Sequence, residues 1–365
     1  MILLGRVIYP RGYPMTRAIF FILIFLSFPS FSESTFKPGE PWYDSDGQII
    51  NAHGGGVLKF KDKYYWFGEV RTEGRTNTGK VSVYSSTDLY KWHNEGIALD
   101  LSSRVEKIAV ERPKVIYNKK NKEFIMWFHE ELGGKYSTGK AGVAVAEKIT
   151  GPYVFYSDFW PNASMQPIYI DKHDINDKYY YNNVSKADEN FINNYSRGQM
   201  FRDMTLFVDD DSTAYIIYES EGNYSIQIAE LNDSYKGFTG KYSRVLVGLK
   251  NEAPTIFKYK KRYYMITSGL KGFSPTDARS AYSDNIFGPW FPLGNPTRST
   301  NIDDIRKTFS SQGTFVIQNV GPNNKYIFMA DRWNIKNLKD SSYVWLPIYW
   351  DNGSPVIEWK NNWKY

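Results

Sequence analysis

The stretch Asn251-Glu252-Ala253-Pro254-Thr255-Ile256-Phe257, followed by Lys258 to Lys261 and then by Arg262-Tyr263-Tyr264-Met265-Ile266, reads as a β-hairpin with one acidic residue at its mouth. Ile256 and Phe257 begin a strand, Lys258 to Lys261 supply a polar turn, and the aromatic, β-favouring run after it returns. The same order of apolar pair, polar turn and aromatic-rich strand occurs in Gly54–Glu69, Arg112–Glu130, Arg202–Ser220 and Gln312–Asp331. With Val57, Val115, Leu206, Ile256 and Phe315 as equivalent positions, the spacings are 58, 91, 50 and 59 residues.

Each hairpin is followed by the pattern of another: Val81–Trp92, Ala141–Phe155, Ser225–Phe238, Ser280–Phe291 and Tyr343–Trp359. Five units of four strands predict an all-β fold, a five-bladed β-propeller around a central channel, in which radial repetition leaves few exposed sheet edges. A β-sandwich has no need of this two-hairpin period. The long second interval holds a polar segment, residues 164–199, expected to be a surface loop between blades two and three.

The chain starts with Arg6, Arg11 and Arg17 ahead of the apolar run Ala18–Phe28, and then small residues at Ser30, Ser32 and Ser34. This is the order of a secretory signal peptide, assigned to residues 1–34, which leaves 35–365 as one catalytic domain in an extracytoplasmic or secreted protein. The apolar run is too short for stable membrane insertion. Six Asn-x-Ser triplets, at Asn162, Asn183, Asn194, Asn223, Asn232 and Asn352, are glycosylation acceptors only in a eukaryotic export route.

The formal net charge of +6 includes the leader arginines, so the domain has little excess charge with which to hold nucleic acid. Aromatic residues make up 17%, a content suited to packed blades and to sugar-binding faces. There is no cysteine, so disulfides contribute nothing to stability. His53, His93, His129 and His173 show no ligand spacing, and Asp209-Asp210-Asp211-Ser212 falls where the third hairpin must turn, so no metal site is expected.

Chemistry belongs where the innermost strands begin, because those ends surround one mouth of the channel. The residues just ahead of the apolar pairs are His53 and Gly54, Glu111, Arg202 and Asp203, Glu252, then Ser311 and Gln312. Three carboxylates from three blades thus point towards one axis, an arrangement that drives pKa values apart. The structural alternative is that Glu111 and Asp203 form ion pairs with the adjacent Arg112 and Arg202.

Glu111-Arg112-Pro113-Lys114, Arg202-Asp203-Met204-Thr205, Glu252-Ala253-Pro254 and Ser311-Gln312-Gly313-Thr314 resemble the blade-start motifs of glycoside hydrolase family 43. Ala52-His53-Gly54-Gly55-Gly56, Tyr65-Trp66-Phe67-Gly68-Glu69, Asp331-Arg332-Trp333 and Tyr343-Val344-Trp345-Leu346-Pro347 are similar to its exo-β-1,3-galactanase branch, and the resemblance spans about Asn51 to Trp359. It implies an inverting hydrolase that frees galactose from the non-reducing end of β-1,3-galactan.

On that resemblance Glu252 matches the general acid and Asp203 the carboxylate that raises the acid's pKa and holds the sugar. The aspartate that most of the family presents at the start of blade one is replaced by Gly54. The base role then falls to Gln312, an amide with little proton affinity, or to Glu111, which otherwise binds substrate. Glu69 and Tyr136 match residues that hold galactose hydroxyls. Trp333 and Trp345 are candidates for a stacking face, with core packing an equal reading.

The resemblance implies no required cofactor, although a calcium ion occupies the channel of some relatives, and it implies a polysaccharide or oligosaccharide substrate for a monomeric enzyme. The rival expectations are another specificity in the same family, arabinofuranosidase or β-xylosidase, and a propeller that binds glycans without cleaving them.

Overall fold

The computed structural model describes residues 34–133 and 136–365. The expected leader, apart from Ser34, lies outside them. Among the described residues no helix is long and apolar enough to cross a membrane.

The described residues form five sheets, each built on four antiparallel strands. Blade one is β1 (His53–Phe60), β2 (Lys63–Arg71), β3 (Asn77–Ser86) and β4 (His93–Asp100); blade two is β5 (Ile108–Asn118), β6 (Glu123–Leu132), β7 (Lys140–Ala146) and β8 (Val154–Phe159). After β9 (Tyr169–Ile170) and α1 (Lys178–Asn194), blade three is β10 (Met204–Val208), β11 (Ala214–Ser220), β12 (Ser225–Leu231) and β13 (Phe238–Val245). Blade four is β14 (Asn251–Tyr259), β15 (Arg262–Gly269), β16 (Ala278–Ser283) and β17 (Phe291–Gly294). Beyond β18 (Thr297–Arg298) and α2 (Ile302–Lys307), blade five is β19 (Gln312–Val320), β20 (Lys325–Arg332), β21 (Ser342–Asp351) and β22 (Ser354–Glu358).

The first strands β1, β5, β10, β14 and β19 each lie against the next, and β19 returns to β1, so the ring is closed. β9 and β18 come from the linkers and add parallel outer strands, to β13 and β22 respectively.

The apolar pair that marks each first strand has a physical cause. Consecutive strand residues face opposite ways, and here both faces are covered by a neighbouring blade. Ile256 packs with Ile217 and Ile226 of blade three, while Phe257 packs with Val316 and Phe328 of blade five. In blade five the order is reversed, Phe315 facing blade one and Val316 facing blade four. Val316, not Phe315, is therefore the counterpart of Ile256.

The β14–β15 turn is also shorter than expected. Tyr259 pairs with Arg262, which leaves only Lys260 and Lys261, at φ 47° and 71°, to make the turn. Two left-handed residues give the twist that a tight hairpin needs. Tyr259 is held in the strand by stacking on Trp350, with ring centroids 3.7 Å apart.

The segment 164–199 is not all loop. Within it α1 runs for 17 residues, with the Asp177 side chain capping its start by accepting from the Tyr179 amide at 2.6 Å. Its buried residues Tyr180, Asn183, Ala187 and Phe191 lie on one face. The ring is latched by the N-terminal segment, where Phe36 pairs with Trp363 and the Gly39 amide donates to the Tyr343 carbonyl at 2.7 Å.

Trp345 belongs to this seam and not to any sugar face. It is 1% exposed, and its ring lies 4.9 Å from that of Trp66 and 5.0 Å from that of Trp42. As a mid-strand residue of β21 it faces blade one. Trp345→Ala is expected to cost about 3–5 kcal/mol of stability in chemical denaturation; a rise in KM with stability unchanged would return it to the binding surface.

Candidate active site

At the mouth, β1, β5 and β14 each carry one residue more than their hairpin partners: between His53 and Gly56, Glu111 and Lys114, and Glu252 and Thr255. The residue after each functional position, Gly54, Arg112 and Ala253, is left-handed at φ 58°, 54° and 53°. Such a bulge re-aims the preceding side chain. It turns Glu111 and Glu252 into a cleft of about 240 Å³, which Glu69, Tyr136, Asp203, Gln312 and Trp333 also line. Seven of the eight side chains singled out in the sequence therefore meet, and Trp345 does not.

Glu252 Oε2 accepts from the Lys271 and Gly272 amides at 2.9 and 3.2 Å. Burial, reinforced by the negative charge of Asp203, pushes its carboxyl up to about 7. Asp203 Oδ2 is held by the Arg112 guanidinium at 2.8 Å. Arg112 also donates to Gln312 Oε1 at 2.6 Å and to the Gly313 carbonyl at 3.1 Å. Gln312 Oε1 accepts a second bond from Trp333 Nε1 at 2.9 Å, while Gln312 Nε2 donates to Ser268 Oγ at 3.2 Å.

On the other side of the cleft, one guanidinium serves two carboxylates. Arg71 Nη2 lies 2.5 Å from Glu69 Oε2 and 2.8 Å from Glu111 Oε1. Burial pushes the Glu69 carboxyl up to about 8. Burial opposes the charge on Glu111 as well, but Arg71, His129 and the Tyr136 hydroxyl, which donates to it, hold its carboxyl below the ordinary value. The proton of the pair therefore stays on Glu69. A β-carbon at Gly54 would collide with the Glu69 carboxylate, so β2 fills from beside the place that blade one leaves empty.

The ion pairs between sequence neighbours do not form, although all four side chains line the cleft. Glu111 pairs with Arg71 of blade one, and Asp203 with Arg112 of blade two. Arg202 turns instead to the Tyr136 carbonyl at 3.1 Å and to Asn223 Oδ1 at 3.3 Å.

The sequence reading missed several residues. Glu219, 1% exposed, bonds through its backbone to Asp203 and lines the cleft. Burial and the charges of Glu252 and Asp203 keep its carboxyl well above the ordinary range. His129 stands 3.5 Å from Glu111 and 3.0 Å from Glu131. Glu131 Oε2 in turn accepts from the Ser137, Thr138 and Gly139 amides at 2.9, 2.8 and 3.2 Å, which fixes the loop that presents Tyr136. A usable signal existed: in a hairpin the end of the return strand lies beside the start of the first. Glu69, His129, Ser268 and Asp331 are the cross-strand partners of His53, Glu111, Glu252 and Gln312.

Glu111, His129 and Asp203 bring ligand atoms within 4.8 Å of one another, as do Asp203, Glu219 and Glu252. Asp203, common to both trios, is already held by the Arg112 guanidinium through Oδ2.

A closed five-bladed ring with paired carboxylic acids and an aromatic wall at one mouth defines a glycoside hydrolase. The sequence profile of glycosyl hydrolases family 43 matches residues 192–355. A β-1,3-galactosidase of that family, solved with galactodeoxynojirimycin, is 43% identical over 90% of this chain and 100% of its own, with a TM-score of 0.84. An exo-β-1,3-galactanase from Clostridium thermocellum is 32% identical over 90% of this chain and 66% of its own, with a TM-score of 0.76. A glutamate-to-glutamine variant of the exo-β-1,3-galactanase from Phanerochaete chrysosporium, solved with β-1,3-galactotriose, is 30% identical over 91% and 68%, with a TM-score of 0.74. A search of curated proteins found no match. The chain belongs to glycoside hydrolase family 43.

The Glu252 carboxyl is expected to titrate near 7 when followed by carbon-13 NMR of labelled glutamate. Asp203→Asn removes the neighbouring negative charge, so the titration should move to lower pH; an unchanged midpoint would show that burial alone sets it.

Proposed function

We propose that this protein is an exported, inverting exo-β-1,3-galactanase that removes galactose from the non-reducing end of β-1,3-galactan. The observation that carries the reading is the convergence of Glu252, which holds its proton up to about pH 7, and ionised Glu111 on one cleft, with Asp203 within 4.8 Å of each. Its similarity over nearly the whole chain to a β-1,3-galactosidase that accommodates a galactose-shaped iminosugar supports the choice of sugar. The leader-like start of the chain supports export.

Exo action is supported by the similarity to an exo-β-1,3-galactanase, and a buried lysine braces the strands that carry the cleft. Lys114, 2% exposed and three residues down β5 from Glu111, donates to the Gly54 and Arg112 carbonyls at 2.9 and 3.2 Å. Its side chain also lies against Gly56 of β1.

Glu252 donates its proton to the glycosidic oxygen as the bond to the anomeric carbon breaks, and a water attacks from the opposite face. The oxygen of Gln312 cannot take that water's proton. Arg112 and Trp333 are donors only, so they fix the orientation of the amide and occupy both oxygen lone pairs. Gln312 therefore meets the water as a donor through Nε2. The proton passes to Glu111, whose Oε2 accepts no hydrogen bond from the described residues while Oε1 is held by Arg71 and Tyr136. Protonated Glu69 and the Tyr136 hydroxyl are placed to hold sugar hydroxyls, and Trp333 offers a face to the ring.

Proton NMR of linear β-1,3-galactan during digestion should show α-galactose as the first product. A first product of β configuration, internal fragments, or release of arabinose or xylose but not galactose from nitrophenyl glycosides would overturn the reading. Glu252→Gln should lower kcat by about 10²–10⁴-fold with an unchanged Tm. Azide attacks without a base, so it should restore turnover in Glu111→Gln and yield α-galactosyl azide; rescue of a Gln312→Ala variant alone would give the base role to Gln312.

A further inference from the structure

The helix inserted between blades two and three is built against the mouth. The linker from β13 to β14 passes beneath α1, where Gly248 lies so close to Val184 and Tyr180 that a β-carbon would meet both. Arg244 of β13 ties the helix down through Asp188 at 2.9 Å. At the N-terminal end of α1, Tyr179 remains 64% exposed. The Lys250 ammonium lies 5.3 Å from the centre of the Tyr179 ring and 4.9 Å from that of Tyr224, and donates to the Tyr179 hydroxyl at 3.3 Å. One cation thus holds two rings, each by its face.

This assembly continues the rim of the cleft. Lys250 stands two residues before Glu252, which limits the separation of their Cα atoms to about 7 Å. Tyr224 follows Asn223, which lines the cleft. The side of the cleft matters: a general acid must stand beside the oxygen it protonates, so the remainder of the polymer leaves past Glu252.

We propose that Tyr179, Lys250 and Tyr224 form an outer subsite for the leaving portion of the polysaccharide, two or more galactose units beyond the cleaved bond. The open face of Tyr179 stacks on the apolar side of a sugar ring, and the ammonium of Lys250 donates to its hydroxyls. A disaccharide is too short to reach it. The subsite rests on the galactan reading, and it explains why a helix is inserted at this point of the ring. The cleft takes the end of the chain, and the platform keeps the rest of it in place for the next cut.

The test compares kcat/KM on β-1,3-galactotetraose and β-1,3-galactobiose. The native enzyme should favour the tetraose. Tyr179→Ala should reduce the tetraose-to-biose ratio about fivefold, the size of one lost aromatic contact, and Tyr179→Phe, which keeps the face, should retain it. Calorimetry with Glu252→Gln as the parent should show the same loss of tetraose affinity on adding Tyr179→Ala. An unchanged ratio, an equal loss on both substrates, or no native preference for the longer one overturns the platform while leaving the galactanase intact. Failure of the native enzyme to release galactose from either substrate overturns the galactan reading, and the platform with it.

Discussion

Arg112 is the group on which the mouth depends. Its guanidinium, buried at 6% exposure, holds Asp203 of blade three and both the side chain of Gln312 and the carbonyl of Gly313 in blade five. It also lies 5.8 Å over the ring of Trp333. A buried ion pair of this kind adds little net stability, because desolvation offsets the attraction. What it provides is register: blades two, three and five, of which only two and three are neighbours in the ring, are fixed relative to one another at the level of the cleft. The backbone yields to allow it, since Arg112 sits in the left-handed region that non-glycine residues enter at a cost of about 1–2 kcal/mol.

That local cost recurs at Ala253, in the same place in blade four, and at Gly54 in blade one, where glycine removes it. The ring repeats the bulge and with it the direction of the preceding side chain, so functional groups can be exchanged between blades without a change of backbone. His53, the counterpart of Glu252 in blade one, shows what happens when the neighbours close in. It is fully buried against Tyr343, with ring centroids 5.3 Å apart, and burial brings its imidazole down to about 3, so it is neutral. Glu69 supplies the carboxyl that blade one needs, from the paired strand.

The propeller was legible in the sequence because the apolar pair is a consequence of being covered on both faces, and a repeated cause leaves a repeated mark. Residues at strand starts were legible for the same reason. What lay beyond reach was partnership. Adjacency suggested Glu111 with Arg112 and Asp203 with Arg202, whereas the bulge re-aims the chain at this point and the true partners come from other blades. The two tryptophans of blade five divide likewise: Trp333 follows the end of β20 and reaches the mouth, and Trp345 is inside β21 and faces a blade. The helix α1 escaped notice because its buried face includes Asn183 and the rest of its surface is polar, so the 3.6-residue period is faint.

The protonation pattern of the cleft follows from counting charges. Two buried guanidiniums, Arg71 and Arg112, face five carboxyl groups, Glu69, Glu111, Asp203, Glu219 and Glu252. In a buried site each cation offsets one anion, and a further anion must meet the desolvation cost alone. Glu111, in direct contact with Arg71, is then the ionised member of its pair, Glu69 and Glu219 retain protons, and Glu252 keeps its own up to about pH 7. Glu69 shares Arg71 but yields to Glu111, which has His129 and Tyr136 as well. Glu252 thus keeps its proton through burial and the scarcity of positive charge around it, and Glu219 beside it, also neutral, adds no anion to the pair. The same shortage that keeps a proton on Glu252 leaves Glu111 a carboxylate able to receive one, so the proposed acid and the proposed base are both set by where two arginines stand.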